Sequence, residues 1–398
     1  MVHIVLLANY LPDGQESMQR YARMLRELLE RHDVSVEVLR PEPYFGRLKP
    51  SGHGFGKWLG YIDKFLIFPF KLRQRVRTLK SSGEPFLVHI CDHSNAMYTR
   101  WLRNVPHLAT CHDLLAIQSA LGQIPEHRTG WSGRILQRWI LSGLKRAAYV
   151  ICVSAETRRQ LVALAPNLKE RSMTIDNVLN YPFAPMPHEQ AMEELSHLDF
   201  GPAFHAGKFR YVLHVGGNQW YKNREGVVRI FAHLCKTYPV LVKDLSLKLV
   251  MAGQPANEKL KQLIEVEKLA EHVSFIGVIT DRQLQALYSR AEVLIFPSLR
   301  EGFGWPIIEA QACGCPVITS DLPPMNEIAG PAAGLAAPDR LEAFADKIAQ
   351  RLMENVANKE YVKNEAIRHS MTYETHLYFP QLFNAYKEQL KSKPHGPF

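Results

Sequence analysis

The stretch Glu292–Ser320, "EVLIFPSLREGFGWPIIEAQACGCPVITS", decides the fold. "EVLIFPS" is an apolar run of strand length and "PVITS" is another. Between them Pro306 suits the first turn of a helix and Gly314 suits its stop, so "IIEAQAC" reads as a short helix. "LREGFG" then lies just beyond the carboxyl end of the first strand. The unpaired N–H groups of the helix's first turn, with its positive end, make an anion site there. Gly302 and Gly304 let a ligand approach the backbone. Glu301 and Glu309 stand eight residues apart around this turn, which is not the spacing of a salt-bridge stripe on one helix face. Glu309 sits about one turn into the helix, and helical side chains lean toward the N-terminus, so it reaches back to the same ligand. Two carboxylates beside a phosphate repel it unless each meets hydroxyl groups on either side. A nucleotide sugar has that form, with the diphosphate between sugar and ribose.

Outward from this stretch the same alternation recurs. Strand candidates in the first half are 3–8, 34–39, 86–91, 107–112, 149–154 and 173–177, with helical patterns such as "SMQRYARMLRELLERH" between them. In the second half they are 211–216, 245–253, 273–277, 292–298 and 316–320. Alternating strands and helices imply a parallel sheet covered on both faces. Residues 181–209 carry Pro182, Pro185, Pro187 and Pro202 and no strand, so they read as a linker with a short helix at "EQAMEELSHL". Two α/β halves follow one another, and such sheets bind ligands at the carboxyl ends of their strands.

At 398 residues, 46% hydrophobic and 22% charged, the chain has the composition of a globular protein with two cores. Its longest apolar runs, such as "FLIFPF", fall far short of the about 20 residues that span a bilayer. "MVHIVLLANYLPDG" reads as a first strand and not a signal peptide. The six cysteines are scattered, and "CGC" (313–315) has no second Cys/His pair at zinc spacing. They read as buried thiols in a reducing compartment. The net charge of +9 is unevenly spread, because Lys57 to Lys80 holds seven basic residues and one acid. There Trp58, Tyr61, Ile62, Phe65, Leu66 and Phe68 recur at helical spacing until Pro69 interrupts the pattern. Two readings stay open: a core helix with a solvated basic face, or an interfacial segment for anionic lipid. No nucleic-acid-binding module accompanies the charge, so no nucleic-acid partner is expected. "GHGFG" (52–56) has no strand before it and reads as loop.

"SLREGFGWPIIEAQACGCPVI" closely resembles the E-x7-E motif of retaining glycosyltransferases of family 4, which have the GT-B fold. Supporting matches are "ATCHDLL" (109–115), "VICVSAETRRQL" (150–161), "TIDNVLN" (174–180) and "LVMAG" (249–253). The resemblance implies an α/β protein of GT-B architecture, two Rossmann-like doubly wound parallel-sheet domains facing across a cleft. Residues 1–182 would be the acceptor-side domain and 183–372 the linker and nucleotide-sugar domain. Residues 373–398 would be a helical segment packing back toward the N-terminal domain.

The resemblance also implies site residues. Glu301 binds the donor sugar and Glu309 the ribose hydroxyls, while Gly302, Phe303, Gly304 and Trp305 offer backbone N–H groups to hydroxyls or phosphate. In "VGGNQWYKNREG" (215–226) Lys222 neutralises the leaving diphosphate, with Gly217 and Asn218 beside it. The family usually has an arginine near Asn218. Its absence here puts Arg224 forward as a replacement cation. Gly277, in "FIGVIT", lies where backbone groups read the base. His112 hydrogen-bonds the sugar near its anomeric carbon. Acceptor-side candidates are Asp92 and His93, alternatively loop caps with Ser94, and Gly14 and Gln15, where the family's double glycine is missing. Ser154 reads as a helix cap. No D-x-D pair is present, so no metal and no cofactor beyond the nucleotide sugar is expected.

The expected reaction is retaining hexosyl transfer to a saccharide or lipid-linked acceptor in envelope or exopolysaccharide synthesis. UDP-glucose is the favoured donor and GDP-mannose the next. The expected location is cytoplasmic, peripheral on the inner membrane face through Lys57 to Lys80. Two rival readings stand beside hexosyl transfer. Glycoside hydrolysis by Glu301 and Glu309 is disfavoured by the cationic turn between them. The other is a catalytically silent sugar-nucleotide-binding subunit.

Overall fold

The structure, a computed structural model, describes residues 2–48, 55–200 and 209–391. The chain divides into two compact units. One comprises Met1–Asn180 with Thr375–Phe398, the other Tyr181–Glu374.

The first unit holds β1 (His3–Leu7), β2 (Ser35–Leu39), β3 (Phe86–Ile90), β4 (His107–Cys111), β5 (Tyr149–Cys152) and β6 (Ser172–Thr174). All pair in parallel, in the order β2-β1-β3-β4-β5-β6. Every residue of β3 and β4 is buried, as expected of strands covered on both faces. The helix Glu16–Arg31 buries Tyr21, Leu25, Leu28 and Leu29 along one stripe. The helix Thr375–Lys391 belongs to this unit, and its Tyr378 hydroxyl meets that of Tyr21 at 2.8 Å. Its Tyr386 hydroxyl meets His89 Nδ1 at 2.7 Å, beneath the sheet.

The second unit holds β7 (Arg210–Val215), β8 (Leu247–Ala252), β9 (Val273–Ile276), β10 (Val293–Phe296), β11 (Val317–Ser320) and β12 (Gly334–Ala336). They too are parallel, in the order β12-β11-β10-β7-β8-β9. In both sheets the order in which strands are added reverses once. The reversal falls between β1 and β3 in the first unit and between β7 and β10 in the second. At such a point two neighbouring loops leave the strand ends on opposite courses and open a crevice.

Three local expectations need correction. The chain stays helical across Pro69: Phe55–Ile62 continues through a π-helical turn, Asp63–Ile67, into Phe68–Ser82. Proline lacks an N–H and clashes with the carbonyl four residues back, and the wider turn just before it opens that register. In "GHGFG" residues 52–54 lie outside the described residues, and a helix begins at Phe55 where loop was expected. β12 was not anticipated, because "GLA" is three residues long with no β-branched side chain. In the linker the expected helix forms over His188–Ser196, while 201–208 lie outside the described residues. All six cysteines are free, five of them buried and Cys235 half-buried.

Candidate functional site

In the second unit the opening stretch folds as strand β10, a loop and the helix Trp305–Ala312. Gly304 precedes the helix at φ 110°, a conformation closed to most side chains, and a Cβ there would stand 3.2 Å from Ile328 Cδ1. Pro306 occupies the first turn and Gly314 (φ 76°) follows the helix end. Phe303 is buried against Trp305 and Tyr373, which fixes the path of the turn.

The loop after β7 docks on the loop after β10. Leu299 N–H donates to the Tyr221 carbonyl at 2.8 Å, and Asn223 Nδ2 donates to the Pro297 carbonyl at 2.9 Å. Asn223 takes a left-handed conformation (φ 53°) and its Oδ1 caps the helix Arg224–Thr237 by accepting from Gly226 N–H. This clamp brings Lys222 and Glu301 together. Lys222 Nζ stands 2.7 and 3.0 Å from the two carboxylate oxygens of Glu301, with the side chains 17% and 8% exposed. The ammonium also lies 5.2 Å from the centre of the Phe296 ring. Glu309 lies deeper, where its carboxylate accepts from the Tyr288 hydroxyl at 2.9 Å.

Asn218 and Arg224 form a unit that the sequence showed only as two separate candidates. Asn218 Nδ2 donates to the Pro255 carbonyl at 2.9 Å, its N–H donates to Gln254 Oε1 at 2.8 Å, and its Oδ1 accepts from Arg224 Nη1. The guanidinium lies over the Phe275 ring at 5.4 Å and is only 6% exposed. No carboxylate faces it, and Nε and Nη2 have no hydrogen-bond partner among the described residues. Burial pushes Arg224 down to about 10. Beneath both cations, burial and then the Arg224 and Lys222 charges push His214 down to about 3, so its ring is neutral. Lys222 is thus neutralised in place while Arg224 is a buried cation in want of an anion. Gly217 and Gly277 lie just past the ends of β7 and β9, Gly277 with open space around its Cα.

The first unit assembles a second cluster at its own crevice. Asn9, just after β1, donates through Nδ2 to Gln15 Oε1 and, at 2.6 Å, to Asp92 Oδ2. Asn95 Nδ2 donates to Asn9 Oδ1 at 3.0 Å. Asn9, buried at 3% exposure, was not singled out from the sequence, where an amide after a strand carries no signal. Asp92 also caps the following turn by accepting from Ser94 N–H at 3.0 Å. His93 Nδ1 stands 3.1 Å from Asp92 Oδ1. Burial alone would lower His93, but the Asp92 charge reverses this and raises it. Burial would likewise raise Asp92, yet His93 holds it well below the usual carboxylate range.

His112 follows β4, directly beside this pair. Its Nε2 donates to the Cys91 carbonyl at 2.9 Å and its backbone nitrogen lies 3.4 Å from His93 Nδ1. Burial lowers His112 despite the nearby Asp92 charge. Gly14 (φ 63°) ends the short turn that presents Gln15. Ser154 accepts from Thr157 N–H at 3.1 Å as a helix cap.

Comparison with known proteins agrees with this architecture. Residues 18–180 match the family model "Glycosyltransferase Family 4" and residues 199–369 match "Glycosyl transferases group 1". O-antigen chain mannosyltransferase B of Escherichia coli is 24% identical over 284 residues, covering 70% of each chain. O-antigen chain mannosyltransferase RfbU of Salmonella typhimurium is 33% identical over 141 residues, which is 35% of this chain and 38% of that protein. Among solved structures, Anabaena HepE in complex with UDP and glucose superposes with TM-score 0.70 at 17% identity, covering 96% of this chain and 99% of the other. Sucrose-phosphate synthase from Thermosynechococcus elongatus gives TM-score 0.71 at 21% identity, covering 98% and 99%.

Proposed function

Because the chain belongs to the family 4 glycosyltransferases of GT-B fold, we propose that it transfers a hexose from a nucleoside-diphosphate sugar to a saccharide or lipid-linked acceptor at the inner membrane face, with retention and without a metal. The observation that carries this reading is the Lys222–Glu301 ion pair at the sheet's switch point. In the absence of donor the two charges hold each other. On donor binding the diphosphate takes the Lys222 ammonium, and the released Glu301 carboxylate accepts from sugar hydroxyls. Arg224, buried without a counter-charge, supplies the second cation to the diphosphate. As the glycosidic bond breaks, charge grows on the leaving oxygen, and Lys222 with the N-terminus of Trp305–Ala312 stabilises it. Glu309 takes the ribose hydroxyls.

Glu301 is committed to Lys222 and then to the sugar hydroxyls, so neither state frees it as a nucleophile. Retention then follows a front-side course. The bond from the anomeric carbon to phosphate oxygen breaks, the bond to the acceptor oxygen forms on the same face, and the departing phosphate oxygen takes the acceptor's proton. Two relatives bear mannosyltransferase names, which supports GDP-mannose ahead of UDP-glucose. Thermal-shift titration with GDP-mannose, UDP-glucose and ADP-glucose tests the donor. Acceptor-dependent release of nucleoside diphosphate tests transfer. Donor binding without such release, over a panel of saccharide and lipid-linked acceptors, would identify a silent binding subunit instead.

A further inference from the structure

The helix Trp131–Arg146 carries four basic residues, Arg134, Arg138, Lys145 and Arg146, and no acid. Trp131, Ile135 and Trp139 fall on one stripe at four-residue spacing, and Trp131 and Ile135 are 74% and 58% exposed. The stripe does not end there. Trp139 packs on Phe65 at 5.1 Å, Phe65 on Tyr61 at 5.2 Å, and Tyr61 on Trp58 at 5.6 Å. A continuous ridge of rings therefore joins two segments far apart in sequence. On the second segment Trp58, Leu66 and Phe70 are 59%, 68% and 70% exposed. Leu66, Phe70, Arg73 and Arg77 share one helical face.

The charges around the ridge differ in availability. The segment's single acid, Asp63, is buried and accepts from Tyr10 and from the N–H groups of Phe45 and Gly46. Lys64, Lys71 and Arg75 are engaged by Asp13, Glu42 and Glu37. Arg77, Lys80, Arg138 and Lys145 have no acidic partner among the described residues. Large apolar side chains standing in water, flanked by unpaired cations, match the apolar interior and anionic surface of one bilayer leaflet. No described helix is long and apolar enough to cross a membrane, so such a face lies on the surface.

We propose that the ridge from Trp58 to Trp131 is a docking face for an anionic bilayer, with Trp131 and Ile135 entering the leaflet. The proposal rests on the reading of a membrane-borne acceptor only for its purpose, since the docking itself needs neither donor nor transfer. The test is flotation with phosphatidylcholine vesicles, with and without phosphatidylglycerol, at low and high salt. Binding is expected to anionic vesicles alone and to weaken with salt. Joint replacement Trp131→Ser with Ile135→Ser should weaken it about tenfold or more, from the apolar burial lost. Arg138→Gln with Lys145→Gln should weaken it several-fold through charge alone. A thermal shift with the nucleotide sugar, unchanged in each variant, confirms that the fold persists and reports donor binding independently. Anionic-vesicle binding that survives the Trp131/Ile135 replacement overturns the proposal. So does an unmodified protein that ignores vesicles, including one that self-associates through this face in a manner abolished by Trp131→Ser.

Discussion

Exchanging Glu301 for glutamine tests whether the ion pair holds the place of a diphosphate. Glutamine keeps the shape and removes the charge, so Lys222 is left without its resident counter-ion. At about 3 Å and an effective dielectric near 20 the bare attraction is roughly 5 kcal/mol. Both groups lost water in forming the pair, and its side chains retain 17% and 8% exposure. The net value lies between that of exposed pairs and that of fully buried ones, roughly 1–2 kcal/mol. A bare nucleoside diphosphate must displace Glu301 in the unmodified protein and need not in Glu301→Gln. Its affinity by calorimetry should therefore rise about 5- to 30-fold. Turnover of the intact donor should fall, because the sugar hydroxyls lose their charged acceptor. Lys222→Ala should also lower kcat, roughly 10² to 10³, but should weaken diphosphate affinity where Glu301→Gln raises it. Diphosphate affinity that stays level or weakens in Glu301→Gln would show that the two charges do not exchange partners, and the placement of the donor would fall with it.

Excess chelator should leave turnover within about twofold, since two cations and a helix end supply the positive field; loss restored by magnesium or manganese would refute the metal-free course. Asn218→Asp places a carboxylate against Arg224 and should weaken nucleoside-diphosphate binding about tenfold by calorimetry while leaving bare nucleoside binding unchanged, an effect conserved amide chemistry would not produce. Burial holds both His89 and His214 down to about 3, against 6.5 when unfolded. The folded protein therefore binds fewer protons than the unfolded chain, and stability is full above pH 6.5 and lost as pH falls toward 3. Each ring contributes a slope of about 1.4 kcal/mol per pH unit in that window. Thermal unfolding between pH 7 and 4 should show this, and a flat Tm would count against both buried neutral rings.

The alternation of strand and helix was legible because buried parallel strands are apolar throughout and the turns between them are punctuated by glycine and proline. The order of strands was not legible, and it is what places the loops of Lys222 and Glu301 side by side. Pairing between β7 and β10 is set by packing over 80 residues of intervening chain, which no local pattern encodes. Glu301 and Lys222 could be named from a motif, but their ion pair could not. Asn218 could be placed beside Lys222, but its side-chain bonds to Arg224 and Pro255 could not be read from the sequence. The aromatic ridge escaped for the same reason, since Phe65 and Trp139 meet only in the folded chain. β12 lacked any propensity signal and forms because β11 offers it an edge.

The helix Thr375–Lys391 has a consequence for synthesis. Its tyrosines supply partners to Tyr21 and His89, residues made some 300 positions earlier. On the ribosome the first unit to emerge is thus the last to close. The second unit, Tyr181–Glu374, is one uninterrupted segment and can mature while His89, held through Nε2 by Thr110, still waits for its Nδ1 partner. Until the helix Thr375–Lys391 leaves the exit tunnel, Tyr21 and His89 lack the tyrosines they meet in the folded chain. Protease challenge of ribosome-stalled chains would read that order directly, with the middle of the protein resistant before its beginning.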